Sequence, residues 1–405
     1  MNKILLLVCG FWLLVGPQRG TAQDESGFEF EFSYVEGEKY RILSTVDQYV
    51  YVNGIFSHRA NILNRIAVTV EDVEDGAGRL SATFQTSEEL RSGGRVYQWG
   101  TEYFSDYWRD AKGEYDIGDE YFMPVVRSVP QFPDGPIEVG TRWTAEGSEA
   151  HDFRRQFNIP EVFRFPIEVD YEYQGEVTID DEAFHLISIS YDVSYQVQER
   201  YSSALYPVRL AGYSDQRLYW DPRRGRPHAY EESYAFLFVL SNGSTVQYEG
   251  TAEAEVIESS IMDRDQLVEE IGRDLEERGV EDATVAADEE GVTITLDNIQ
   301  FPPDSSVLIE RERAKLDQIG EILSRYPERD ILITGHTALA GTAAGRQALS
   351  EERARAVGEY LFENGVRERE HMITRGMGAR EPVAGNATEA GMRKNRRVEI
   401  TILEN

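Results

Sequence analysis

The sequence predicts a multidomain fold in two parts, an N-terminal all-β antiparallel domain followed by an α/β sandwich. From about residue 27 to residue 258, apolar residues alternate with polar ones, which is the period of half-buried strands. From Asp263 onward they recur at helical spacing, and helices then alternate with strands. The formal charge of −32 is also uneven. Residues 301–405 carry 17 acids and 16 bases, so residues 1–300 hold 56 of the 73 acids and 25 of the 41 bases.

Residues 1–22 predict a secretory signal peptide. Lys3 precedes an apolar stretch over residues 4–15, which is shorter than the roughly 20 residues of a membrane-spanning helix. Cys9 is the only cysteine, so the exported chain should contain no disulfide and no thiolate metal site. Only eight residues precede Cys9, which disfavours a lipid anchor there. We expect an exported protein with no transmembrane helix in the mature chain.

Residues 24–258 predict one acidic, tyrosine-rich β domain, either a sandwich or a half-barrel. Every second side chain from Ile187 to Val197 is apolar or aromatic, and turn signals recur about every 10 to 15 residues. The prolines and charges of FRRQFNIPEVFRFPIEVDYEY interrupt this alternation, which favours a domain in water over strands that cross a membrane. We interpret Trp99, Trp108 and Trp143 as packing residues, with a carbohydrate or partner surface as the alternative.

Residues 260–405 predict alternating helices and strands. A first helix starts after Asp263 as its N-cap and stops at Gly279, a second buries Leu316 and Ile319, and a third runs from about Ala343 to Asn364. Strands are predicted at 282–286, 291–296, 330–335, 371–378 and 396–403. This alternation is typical of an α/β sandwich.

The loop between the strand at 330–335 and the third helix predicts an anion site. Its residues are small and without acids, and the unpaired amides of a helix start, here with Thr342 as N-cap, favour negative charge. Arg346 and Arg353 project from one face about 10.5 Å apart along the axis, and neither has an acid three or four residues away. Either acids elsewhere, such as Asp304, neutralise these arginines, or they receive the carboxylates of a ligand.

Four stretches then carry a family resemblance: IQFPPDSSVL, ITGHTALAGTAAGRQALSEERARAVGEYL, ITRGMGAREPVAGN and NRRVEITI. Together they cover about residues 290–405, in order and at matching spacing. This part of the chain resembles the OmpA-like C-terminal domain, the peptidoglycan-associating module of several envelope proteins. The resemblance implies noncovalent binding of the peptidoglycan stem peptide, with its diamino acid at the strand-to-helix loop.

The resemblance also implies a set of peptidoglycan-binding residues: Phe301, Asp304, Thr337, Ala338, Leu339, Arg346, Leu349, Arg353, Asn395 and Arg396. Two of them depart from the family. Ala338 stands where the family usually has an aspartate that pairs with the ammonium of diaminopimelate, and Arg346 stands where it often has asparagine. An anion is lost and a cation gained. Either the site is retuned toward carboxylates, as for a wall built on another diamino acid, or binding has decayed.

We therefore expect an exported envelope protein, in the periplasm or at the outer membrane, that links peptidoglycan to that membrane or to outer-membrane or periplasmic proteins. The alternatives are a wall-localised hydrolase that uses an acid pair of the β domain, and a lipid or lipoprotein carrier. The histidines are scattered and His336 is interpreted as a packing residue, so we expect no catalytic residue, metal or cofactor. The acidic surface disfavours nucleic acid as a partner.

Overall fold

The computed structural model describes residues 27–89, 96–198, 200–258, 262–288, 290–297, 301, 305–327 and 329–404. The predicted signal peptide, Cys9 and the predicted site residue Asp304 lie outside these ranges. Of the helices in the described part of the chain, none has the length and apolar composition that crossing a membrane requires.

Long antiparallel strands form the N-terminal part. They are β1 (Lys39–Val52), β2 (Ile55–Glu74), β3 (Ala77–Glu89), β4 (Tyr97–Arg109), β5 (Tyr115–Ile117), β6 (Val126–Arg127), β7 (Arg142–His151), β8 (Phe163–Ile179), β9 (Glu182–Gln196), β10 (Pro207–Asp221), β11 (Arg226–Leu240) and β12 (Thr245–Glu258). Neighbours pair in the order β7-β8-β9-β10-β11-β12-β1-β2-β3-β4. A four-residue helix, α1 (Arg154–Phe157), lies between β7 and β8.

The core of this part lies on one face of the sheet. Alternate residues of β8 are buried from Phe163 to Tyr173, as the period of a strand requires. Phe32 and Trp220 meet edge to face at 4.9 Å between ring centroids. Trp143 stacks on Tyr171, the residue directly opposite it on β8, at 5.1 Å.

The stretch FRRQFNIPEVFRFPIEVDYEY interrupts the strands over residues 153–162, as predicted, but the prediction was wrong for its second half. The alternation of buried and exposed residues continues through Pro166, which is one of the exposed residues of β8. Pro166 pairs with Ser148 of β7, while the pairing of β8 with β9 begins only at Asp170. A proline is tolerated where its missing N–H is not needed by a second neighbouring strand.

Helices and shorter strands form the C-terminal part. They are α2 (Arg264–Glu277), β13 (Ala283–Ala287), β14 (Gly291–Asp297), α3 (Glu310–Leu323), β15 (Ile331–His336), α4 (Ala343–Glu363), β16 (Met372–Gly378), α5 (Glu389–Asn395) and β17 (Arg397–Leu403). The strands pair in the order β13-β14-β17-β15-β16, with β15 and β16 parallel. Asp263 caps α2 as predicted, because its Oδ1 accepts from the N–H of Gln266 at 3.0 Å.

A β-rich N-terminal part followed by a part that contains the longer helices confirms the coarse fold class. The choice between sandwich and half-barrel for the first part stays a prediction, as do the α/β sandwich arrangement of the second and the division near residue 260. That division falls on residues 259–261, which lie outside the described residues. The sequence analysis missed α1 and α5, whose seven or fewer residues are too short to show a helical period.

The two parts share one sheet. Tyr97 and Gln98 at the start of β4 pair in parallel with Ile373 and Thr374 of β16. The Thr374 hydroxyl also donates to the Tyr97 carbonyl at 3.2 Å. An apolar cluster covers this junction and joins side chains of both parts: Leu63, Tyr97, Leu332, Ile373 and Leu403, with Leu43 and Trp99 packed against them.

Beside the junction, Asp330 is 1% exposed. Its carboxylate forms ion pairs with arginines of the N-terminal part. Arg41 Nη1 donates to Asp330 Oδ2 at 2.7 Å, and Arg65 Nε donates to the same oxygen at 2.8 Å. His371 Nδ1 lies 2.6 Å from Oδ1. Burial alone would raise the pKa of Asp330, but Arg65, His371 and Arg41 hold it well below its ordinary value. The N-terminal cations therefore keep this carboxylate ionised inside the protein.

We predict that Asp330→Asn lowers the free energy of unfolding by about 3 to 5 kcal/mol, because it leaves buried Arg41 and Arg65 without their counterion. Asp106→Asn is the matched control, since Asp106 pairs with Arg79 on the surface at 2.8 Å and should cost less than about 1 kcal/mol. Guanidinium unfolding followed by circular dichroism measures both. Equal costs for the two substitutions would contradict the role given to Asp330.

Candidate functional site

The predicted loop connects β15 to α4, and close backbone packing fixes its position. All residues of β15 are buried. A Cβ on Gly335 would lie 2.2 Å from the Ser350 carbonyl oxygen, and a Cβ on Gly376 would lie 2.7 Å from the N–H nitrogen of Glu351. Only glycine lets α4 lie this close to β15 and β16. The start of the helix is therefore held directly at the end of the buried strand.

The first turn of α4 is built as the sequence predicts. Thr342 is its N-cap, and the Thr342 hydroxyl accepts from the N–H of Gly345 at 3.1 Å. The first turn contains no acidic residue, and residues 341–345 are exposed. The positive end of the helix dipole therefore reaches solvent without a carboxylate of its own helix in the first turn.

Thr337, Ala338 and Leu339 form the first half of the loop. The Thr337 N–H donates to the Gly378 carbonyl at 2.7 Å. Its hydroxyl is buried and has no hydrogen-bond partner among the described residues. Ala338 is buried, whereas Leu339 is 58% exposed. A buried hydroxyl with no protein partner is a polar group that a ligand can satisfy.

Arg353 reaches back from α4 toward the segment that precedes α3. Its side chain is 9% exposed, its Nε donates to the Ser305 carbonyl at 3.3 Å, and its guanidinium lies 4.9 Å from the centre of the Phe301 ring. The structure therefore brings together Arg353 and Phe301, two of the residues that the resemblance implies for the site. The contribution of Asp304 stays a prediction, because that residue lies outside the described part of the chain.

Arg346 stands one turn into α4, where Leu349 is also half-buried. Its Nη1 donates to the Gly341 carbonyl at 2.6 Å. The Arg346 guanidinium thus stabilises the β15–α4 loop. The sequence analysis had expected it to contact a ligand there. A planar guanidinium has five N–H donors, so this single bond leaves Arg346 able to bind a carboxylate as well.

Asn395 holds the neighbouring loop instead of facing outward. It is 1% exposed, and its Oδ1 accepts from the N–H groups of Val383 at 2.9 Å and Ala384 at 3.0 Å. Its Nδ2 donates to the Ala384 carbonyl at 2.8 Å and to Asn386 Oδ1 at 3.0 Å. Asn386 Oδ1 in turn accepts from the Leu339 N–H at 2.9 Å. Asn395 therefore positions the β15–α4 loop through Asn386.

Arg396, the other half of the predicted pair, is half-buried at the end of α5. Its Nη2 donates to Glu389 Oε1 at 2.5 Å, and this bond is the main cause of a lowered pKa for Glu389. The sequence analysis did not identify Asn386. The signal for it was present in the quoted motif ITRGMGAREPVAGN, whose last residue it is.

His336 ends β15 with 2% exposure, in the packing role that we interpreted for it. Its Nε2 lies 3.0 Å from Glu399 Oε2, and Arg397 Nε donates to Glu399 Oε1 at 2.7 Å. Burial alone would raise the pKa of Glu399, but the hydrogen bond and charge of His336, together with Arg397, lower it to about 2. Within the described residues, no group of three or more histidine, cysteine or acidic side chains could hold a metal ion.

We predict that Asn395→Ala lowers the free energy of unfolding by about 2 to 3 kcal/mol, because it leaves the N–H groups of Val383 and Ala384 without their acceptor. Asn364→Ala, which removes an exposed amide that bonds Tyr360 O at 2.7 Å, is the control and should cost about 1 kcal/mol or less. Denaturant unfolding measures both. An unchanged stability with lost peptidoglycan retention would instead make Asn395 a direct ligand contact.

Comparison with known proteins identifies the part of the chain that contains this loop. Residues 300–396 match the sequence model of the OmpA family. The peptidoglycan-binding protein ArfA of Mycobacterium tuberculosis is 36% identical over 104 residues, which are 26% of this chain and 32% of that protein. Outer membrane porin F of Pseudomonas aeruginosa is 36% identical over 113 residues, which are 28% of this chain and 32% of that protein.

The alignments thus span about a third of the length of these curated relatives. Among solved structures, an outer membrane protein from Borrelia burgdorferi is 36% identical, with 30% of this chain and 96% of that chain covered, at a TM-score of 0.25. The family match does not extend into the N-terminal β part. Residues 300–396, with the β15–α4 loop at their centre, are an OmpA-family domain.

Proposed function

We propose that this chain is an exported envelope protein that binds peptidoglycan noncovalently through the β15–α4 loop. The observation that carries the proposal is the family match over residues 300–396, which contains this loop, together with relatives named as peptidoglycan-binding and outer-membrane proteins. The chemistry of the loop agrees with such a ligand, because a helix N-terminus and arginine side chains favour the carboxylates of a stem peptide.

In the proposed complex, a stem-peptide carboxylate lies between the first turn of α4 and Arg353. The Thr337 hydroxyl supplies a hydrogen bond from the buried side of the loop, where the described residues leave it without a partner. Leu339, 58% exposed, and half-buried Leu349 would contact the apolar part of the peptide. Phe301 holds the Arg353 guanidinium by a cation–π contact at 4.9 Å. Arg396 lies farther along the chain, where Glu389 engages it.

The loop differs from the family in charge, and we propose that the ligand differs accordingly. Ala338 is buried and apolar, so it cannot pair with an ammonium group. Arg346 adds a cation whose only bond among the described residues is to the Gly341 carbonyl. A site with two guanidinium groups and no aspartate at residue 338 favours a stem peptide with carboxylates and without a free ammonium at this position.

The β part would then face the outer membrane or a partner protein, and the junction at β4 and β16 would join it to the wall-binding loop. The hydrolase and the lipid or lipoprotein carrier stay alternatives for that part.

We predict that Arg353→Ala lowers retention of the full chain on insoluble peptidoglycan at least about tenfold, because a charge-assisted hydrogen bond contributes about 1.5 to 3 kcal/mol. Arg355→Ala is the matched control, since Arg355 lies two residues along the same helix and is less buried. Co-sedimentation with purified wall measures both, after circular dichroism shows that each variant is folded. Retention that is equal for wild type and Arg353→Ala would refute the proposal.

We further predict that Ala338→Asp raises retention on diaminopimelate-type wall about tenfold and does not raise retention on wall whose third residue lacks a free ammonium. The restored carboxylate should pair with the ammonium group. Arg346→Ala should weaken binding to both walls, because it removes a cation that both use. If Ala338→Asp stays folded and its binding to diaminopimelate-type wall is unchanged, the missing carboxylate at residue 338 does not determine the choice of ligand.

A further inference from the structure

The turn between β1 and β2 carries exposed apolar side chains. We call residues 49–58 the β1–β2 tip. Asn53 and Gly54 both have positive φ, 52° and 74°, as in the tight turns that join long antiparallel strands. Ile55 is 73% exposed, Phe56 55% and Val52 42%. Such side chains, gathered at one point of a water-facing surface, indicate a contact site.

Aromatic rings stand directly behind these residues. The ring centroids of Tyr51 and Phe56 are 5.8 Å apart, and those of Tyr49 and Phe56 are 6.4 Å apart. Farther from the turn, Arg59 pairs with Asp47 through two bonds of 2.6 and 2.7 Å. Aliphatic and phenyl groups are thus outermost and the tyrosines come next. Glu249 lies opposite Tyr49 and bonds Tyr51 at the level of the tyrosines, and the Arg59–Asp47 pair lies behind them.

At the end of the sheet that bears the tip, the β1–β2 and β11–β12 connections are both free of charge. Residues 48–58, 201–208 and 241–248 contain no Asp, Glu, Lys or Arg, although the β9–β10 connection also includes Glu199 and Arg200 just before residue 201. Hydrogen bonds place them side by side, because the Asn53 N–H donates to Thr245 O at 2.9 Å and the Ser241 N–H donates to Tyr206 O at 2.8 Å. In a chain of net charge −32, two adjacent uncharged connections distinguish the β1–β2 tip from the rest of the surface.

The opposite end of the same sheet carries charges, with acids in two turns and Arg223 and Arg224 in the β10–β11 turn. The β2–β3 turn contains Glu74 and Asp75, and the β8–β9 turn contains Asp180 and Asp181. Carboxylates from two connections line a cleft at this end: Glu74, Asp75, Asp110, Glu114 and Asp116, together with Trp108. Because alternate connections of an antiparallel sheet lie at opposite ends, the acids and the apolar tip are separated by the length of the strands.

We propose that the β1–β2 tip inserts into the interfacial layer of a lipid bilayer of low surface charge. Ile55 and Phe56 would enter the acyl boundary, and Tyr49 and Tyr51 would lie at the level of the headgroups, where tyrosine is enriched in membrane proteins. Acidic headgroups would repel the rest of the chain, so a zwitterionic surface is the matching partner. The inference deepens the proposed function and rests on it only for the outer membrane as the bilayer concerned.

The test uses the exported full chain and sucrose-loaded phosphatidylcholine vesicles. We expect Ile55→Ser/Phe56→Ser to lower the vesicle partition coefficient at least about tenfold, which corresponds to about 1.4 kcal/mol. Phe104→Ser is the matched control, because Phe104 is 57% exposed on β4 of the same sheet, and it should leave partitioning unchanged. Vesicles that contain phosphatidylglycerol should bind the wild type more weakly. Equal partitioning of the wild type and the double variant overturns the proposal.

A second measurement covers the case in which the double variant does not fold. Phe56→Cys in the exported chain, which lacks Cys9 and is labelled with an environment-sensitive fluorophore at residue 56, should show a blue shift when phosphatidylcholine vesicles are added, and no shift overturns the proposal. Sedimentation velocity without lipid tests a second copy as the occupant, and a dimer that the double variant abolishes would reassign the tip. Peptidoglycan retention of the double variant should equal that of the wild type, so a failure of wall binding is recognised separately.

Discussion

Asp330 imposes the constraint on which the relation between the two parts depends. Its carboxylate is 1% exposed, so folding removes nearly all of its hydration. Without cations beside it, an ionised carboxylate in this position would strongly destabilise the fold. Arg41 and Arg65 supply those cations from β1 and β2, and His371 completes the set from the segment before β16. These charges are matched because β1 and β2 pack against the residue that precedes β15. The pairing of β4 with β16 and the apolar cluster around Ile373 then follow in the same arrangement.

The same arrangement fixes the orientation of the β15–α4 loop. The strand that leads into the loop, β15, pairs with β16, and β16 pairs with β4 of the N-terminal part. The loop is thus oriented relative to the β sheet by backbone hydrogen bonds and not by a flexible tether. If the β1–β2 tip contacts a membrane, the same frame sets the distance and angle between that membrane and the bound stem peptide.

The polar residues in and around the β15–α4 loop have two different roles. Some hold the loops in place through hydrogen bonds, and others have polar atoms that a ligand could bond. The amide group of Asn395 bonds Val383, Ala384 and Asn386. Asn395 therefore holds the loop that contains these residues in place. Thr337 differs, because its buried hydroxyl finds no partner among the described residues. A family resemblance does not separate these two roles, since both kinds of residue are needed for the same binding. The hydrogen bonds separate them.

The elements of the C-terminal part could be predicted from the chain alone, because local signals define them. The cap at Asp263, the N-cap at Thr342 and the buried strand before His336 all depend on neighbouring residues, and the structure has each of them. The loop residues could be named because a motif of fixed spacing carries them. Asp330, in contrast, appears in the sequence as one acid among 73. Its partners Arg41 and Arg65 are more than 260 residues away, and no local pattern links them. Burial, long-range ion pairing and the position of the uncharged tip depend on which strands become neighbours, and only the tertiary structure decides that.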